Sequence, residues 1–116
     1  MPRGWAAPST SLMVRDYLLK VGRASVYEVY KHILKELENT AYLKPSYSNV
    51  RILFYCLRRL GLIRKVATEP SSRNGFYRKH LYSVVRARVK AEQWHSPIEA
   101  YYYPLRFRQR VHLKKL

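Results

Sequence analysis

SYSNVRILFYCLRRLGLIRKV, residues 46–66, changes period partway along, and that change decides the fold. In its first part Val50, Leu53, Phe54, Leu57 and Leu60 recur three or four residues apart, which lines one face of a helix with apolar side chains. Ser46 or Ser48 is the candidate N-cap, and Gly61 suits the turn that closes the helix. Ser48, Arg51, Tyr55 and Arg58 share roughly the opposite face, with Arg59 beside it. Past Gly61 the helical spacing stops, and residues 62–66 read as a β-strand.

Working outward, two more helices are expected upstream. Ser9, Thr10 and Ser11 offer an N-cap to a helix whose stripe is Val14, Tyr17, Leu18 and Val21, with Gly22 placed for a left-handed turn after it. Ser25 followed by Glu28 is a capping-box spacing, and Val26, Val29, Tyr30, Ile33 and Leu37 continue it as one apolar face. Residues 39–45 break the pattern, because Pro45 disfavours helical geometry at Lys44. Downstream, residues 68–75 are dense in turn formers and residues 76–85 read as a second strand, which makes a hairpin with a basic tip.

The chain of 116 residues carries 23 Lys and Arg against 7 Asp and Glu, a net charge of +16. Residues 1–50 hold seven basic and four acidic side chains (net +3), whereas residues 51–116 hold sixteen against only Glu69, Glu92 and Glu99 (net +13). Such a field attracts polyanions and opposes folding by self-repulsion until a partner neutralises it. Nucleic acid is the expected partner. An anionic membrane would call for a basic amphipathic helix with bulky apolar residues opposite, and the basic segments do not read that way. Arg outnumbers Lys fourteen to nine, which favours forked contacts to phosphate and stacking on bases.

Residues 49–64, the hairpin after them and the returning segment Lys79-His80-Leu81-Tyr82-Ser83-Val84 together resemble the winged-helix family. In that family the third helix is the recognition helix, it ends in a Leu-Gly-Leu-Ile type turn into the wing, and the returning strand often carries a Tyr-Leu-like pair. The resemblance covers residues 12–86. It implies an α+β winged helix of three helices and a two- or three-stranded β-hairpin wing, with basic extended tails over residues 1–11 and 87–116. It also implies that Ser48, Arg51, Tyr55, Arg58 and Arg59 face a groove, while Arg73, Asn74, Arg78 and Lys79 make the wing's contacts. Arg58 and Arg59 have a plainer reading, as charges that solvate the last helical turn and complement its dipole.

The C-terminal segment adds to this. Arg106, Arg108 and Arg110 alternate with Leu105, Phe107, Gln109 and Val111, so an extended chain would put three guanidiniums on one edge. Tyr101, Tyr102 and Tyr103 supply aromatic faces on which bases could stack. The competing reading is an extra edge strand with the tyrosines packed on the domain. Trp5 and Trp94 could anchor the tails to the domain or to a partner.

A small, basic, Arg- and Tyr-rich module with basic extensions also resembles a ribosomal protein, and several archaeal and eukaryotic ribosomal proteins use winged-helix folds. The expected partners are therefore rRNA and neighbouring ribosomal proteins, with the chain monomeric off its partner and cytoplasmic on the ribosome. The alternative is a winged-helix regulator or chromatin protein on double-stranded DNA in a nucleoid or nucleus. A protein-docking winged helix is a third class. No enzymatic activity, small-molecule substrate, cofactor or metal is expected. His32, His80, His95 and His112 are too dispersed to join the single Cys56 in a zinc set, and four glycines form no phosphate loop. Cys56 reads as a small apolar filler. No apolar run reaches transmembrane or signal-peptide length.

Overall fold

The computed structural model describes residues 9–70 and 78–115. Helix α1 (Thr10–Val21) leads into α2 (Val26–Leu37), α3 (Tyr47–Arg59) and a hairpin of β1 (Ile63–Pro70) and β2 (Arg78–Val84). Two 3₁₀ turns, Arg86–Arg88 and Glu92–His95, then carry the chain to α4 (Pro97–Tyr102) and α5 (Pro104–Lys115). The architecture is α+β, with five α-helices and a two-stranded antiparallel sheet among the described residues.

Each of the first three helices forms where its local chemistry directs, with some differences in detail. Ser9 sits at the N-cap of α1 but makes no side-chain cap. Its Oγ lies 2.7 Å from that of Ser11, whose hydroxyl donates to the Trp94 carbonyl at 2.5 Å. The buried stripe of α1 is accordingly Ser11, Val14 and Leu18, while Val21, expected inside, is exposed because the chain turns away at Gly22. Gly22 has φ +90°, open to glycine, with ψ −50° rather than a left-handed helical value. In α2 the capping box is complete: the Glu28 N–H donates to Ser25 Oγ, and the Ser25 N–H donates to Glu28 Oε1 at 2.9 Å.

Helix α3 is capped by Ser46, which accepts from the Asn49 N–H at 3.1 Å. Its other end closes with the Leu62 N–H donating to the Leu57 carbonyl and the Gly61 N–H to that of Arg58, around Gly61 at φ +78°. This paired closure is a Schellman motif, and it aims the chain directly from helix into strand. A guanidinium N–H of Arg88 donates to the Leu60 carbonyl at 3.3 Å, placing a positive charge at the negative end of the helix dipole.

Strand β1 extends further than its apolar run suggests. Thr68, Glu69 and Pro70, expected in the hairpin tip, pair with His80, Lys79 and Arg78. Val66 is an extra residue between the paired Lys65 and Ala67, a β-bulge that increases local twist. The sheet gains a third, one-residue contact where Ala24 and Tyr82 exchange both backbone hydrogen bonds, at 3.1 and 2.9 Å. That bridge pins the α1–α2 connection to β2.

The core gathers Val14 and Leu18 from α1, Val29, Ile33 and Leu37 from α2, Val50, Leu53, Phe54 and Leu57 from α3, and Leu62, Ile63, Tyr82 and Val84 from the hairpin. Trp94 belongs to the same core. It is fully buried, and its indole N–H donates to the Arg88 carbonyl at 2.9 Å. Residues 87–96 therefore pack back on the domain, and Trp94 anchors this segment to it. Trp5 lies outside the described residues.

The extended C-terminal conformation is corrected by α4 and α5. Pro97 and Pro104 stand at the first turns of these helices, where a missing N–H costs nothing and φ is already helical. Residues 104–115 contain no glycine, and apart from Val111 they avoid β-branching, so Leu, Arg, Gln and Lys carry the helix. The Arg-x-Arg-x-Arg alternation is thus wound, and neither an extended arm nor an edge strand forms.

Candidate nucleic-acid interface

Packing fixes which side of α3 is free. With Val50, Leu53, Phe54, Cys56 and Leu57 turned inward, Ser48, Arg51, Tyr55, Arg58 and Arg59 are left exposed on the other side. The five residues expected to share this face do share it. Two of the arginines lie over aromatic rings: Arg51 is 6.0 Å from the Tyr47 centroid and Arg58 is 5.5 Å from that of Tyr82. Arg58 is therefore held against the base of the hairpin.

Tyr55 on this face meets its aromatic partner on α4. The hydroxyls of Tyr55 and Tyr101 are 3.4 Å apart, and their rings meet edge to face with centroids 5.6 Å apart. Tyr101 packs on Tyr102 in the same way at 4.9 Å. Hydrogen bonding to Tyr55 and to the Arg59 guanidinium holds the Tyr101 hydroxyl below its ordinary pKa. The same contact with Tyr101 pushes Tyr55 up, and Tyr101 likewise raises Arg59. Tyr102 and Tyr103 remain half exposed beside it, and the Arg106 guanidinium lies 4.9 Å from the Tyr103 centroid. These contacts form one band: Arg58, Arg59 and Tyr55 on α3, then Tyr101 to Tyr103, then Arg106 at the start of α5.

The remaining candidate residues are placed differently. Arg106 and Arg110 fall on one face of α5, and Arg108 points elsewhere, so the three do not share an edge. Arg110 is ion-paired with Glu99 and lies over Phe107. Lys79 is ion-paired at 2.9 Å with Glu28, the capping-box acid of α2. Hydrogen bonding within the cap holds the Glu28 carboxyl below its usual range, with further help from Lys79 and against a smaller cost of burial. Lys79 is raised by the same partnership. Arg78 is exposed at the start of β2, and Arg73 and Asn74 lie outside the described residues.

Sequence reading missed a second aromatic group. Tyr27, Tyr30 and Tyr47 cluster where the first turns of α2 and α3 meet, with centroids 5.3 to 6.4 Å apart. Tyr30 reads as part of the core stripe, and Tyr27 and Tyr47 carry no motif. Their only advance signal is two tyrosines three apart on α2 and a third just inside the cap of α3.

Among the described residues no three His, Cys, Asp or Glu side chains are gathered as a metal site, and no helix is long and apolar enough to cross a membrane. Burial pushes the Cys56 thiol up, away from the reactive thiolate. Comparison with known proteins finds no matching family model, no matching curated protein and no matching solved structure.

Proposed function

We propose that this chain is a non-enzymatic RNA-binding protein built on a winged-helix domain, and that it serves as a structural component of the ribosome. The order α1, one-residue bridge, α2, α3 and hairpin supports the winged-helix reading, with α3 in the recognition position. The observation that carries the function is the Tyr and Arg band that joins α3 to α4 and α5. Exposed tyrosine faces interleaved with guanidiniums suit unpaired bases and phosphates, whereas a major-groove reader needs little beyond its helix. A net charge of +16 makes the phosphate term large and salt-dependent.

Gradient sedimentation of a lysate tests this directly: the chain is expected to travel with a ribosomal subunit and to leave it at high salt. Titration on structured RNA and on mixed-sequence duplex DNA gives the second arm. A stable homodimer that binds one DNA sequence tightly, and that ignores loss of Tyr102 and Arg106, would replace this reading with that of a DNA-binding regulator.

A further inference from the structure

A cleft of about 600 Å³ opens between the start of α2, the exposed face of α3 and the first half of β2, within the range of specific small-ligand sites. Tyr27 and Tyr47 form one side of it, and Arg51, Arg78, Lys79 and His80 stand along the rest. We propose that this cleft captures one unpaired nucleotide of a bound RNA, its base stacked on Tyr27 and its flanking phosphates held by Arg51 and Arg78. The inference rests on the RNA-binding reading above and deepens it by naming what feature of the RNA is read.

Three observations lead there. Tyr27 is 55% exposed although Tyr30 and Tyr47 brace it at 6.2 to 6.4 Å and the Lys31 ammonium lies 5.8 Å from its centroid, so the ring is held firm and offers its remaining exposed surface to the cleft. Next, the cleft's one carboxylate is already neutralised, because Glu28 is bound by Lys79 and by its own cap. Arg51 and Arg78 have no carboxylate partner among the described residues, which leaves their charge available to an anion. Finally, a paired base offers only its edges, whereas a tyrosine face requires a flat base that has left the stack. A bulged or looped nucleotide meets all three conditions. Stacking tolerates any base, so no base identity is implied.

The test uses the whole protein and two RNA hairpins, one fully paired and one with a single bulged fluorescent purine analogue. The wild type is expected to prefer the bulged RNA by about tenfold and to quench the analogue on binding. Tyr27→Ala should abolish both the preference and the quenching while binding the paired hairpin as before, and Tyr27→Phe should retain them. Because Tyr27 is exposed, an unchanged thermal midpoint for Tyr27→Ala checks that the domain is intact. Equal binding of the two hairpins by the wild type, or a preference that survives Tyr27→Ala, overturns the inference and leaves the RNA-binding reading standing. Failure to bind either hairpin removes both.

Discussion

Helices α3 and α5 have nearly the same length, thirteen and twelve residues, and each carries three arginines, yet they are held in opposite ways. Helix α3 buries five side chains in the core, is capped at both ends and hands its chain to a strand through a Schellman motif. Helix α5 buries only Phe107 and touches little besides α4. An arginine on α3 is therefore presented at a fixed position, and binding there costs little further ordering. An arginine on α5 sits on a short helix that would be marginal alone, so its geometry can follow the partner. The comparison teaches that equal charge is not equal preorganisation.

The largest effect should come from the residue that ties the C-terminal part of the chain to the core. Trp94→Ala is expected to cost about 3–5 kcal/mol, as deletion of a fully buried aromatic does, read by urea unfolding. A small loss would mean that the chain after β2 is an appendage and that α5 is held still more loosely relative to α3.

The arginines come next. Replacing Arg51, Arg58 and Arg59 by Ala should flatten the slope of log K against log[salt] on structured RNA by about 2–3 units, at just under one per phosphate contact. The same change at Arg106, Arg108 and Arg110 should flatten it by only about 1–2 units, because Arg110 is engaged with Glu99. A larger effect from α5 would reverse the ranking and make the loosely held helix the main anchor.

Phe107→Ala separates local from global stability. Circular dichroism should lose about one short helix, while the main unfolding transition keeps its midpoint. A matching drop in the midpoint would show that α5 is as much a part of the domain as α3.

The smallest effect concerns the hairpin's contact with α2. Glu28 has a lowered pKa in the folded chain, so its contribution is complete above the ordinary carboxylate range and is lost as pH falls through the lowered value. Lys79 is raised, so its share is complete below the ordinary lysine pKa and is lost as pH climbs through the raised one. Glu28→Ala also removes the half of the capping box in which the carboxylate accepts from the Ser25 N–H, and should cost about 0.5–1 kcal/mol, with the acid-side pH dependence of stability reduced.

Helices α1 to α3 were legible in the residues because each carries its own period and punctuation: Ser25 with Glu28, Ser46 before Asn49, Gly61 after Leu60. Helix α5 was not, since Arg106 to Arg110 alternate as a strand would and just one side chain is buried to show a helical face. Pro97 and Pro104 were the overlooked signals, each placed where a helix begins. The extension of β1 through Pro70 was hidden by turn formers that the ladder to β2 recruits. The exposed face of α3 was readable, but the Tyr27–Tyr47 and Tyr55–Tyr101 contacts join residues far apart in sequence, and no local pattern encodes them.

The hydrogen bond from Ser11 to the Trp94 carbonyl joins residues 83 positions apart, and this separation has a kinetic meaning. Closing so long a loop is entropically unfavourable before the elements between are in place, so it belongs late in folding, after α2, α3 and the hairpin have met. Contacts made after the rate-limiting step govern how fast a protein comes apart rather than how fast it assembles. Ser11→Ala, followed by circular dichroism across a denaturant series, should then accelerate unfolding and leave the refolding limb where it was. The Ser11 hydroxyl would act as a latch, setting the lifetime of the folded chain without a part in forming it.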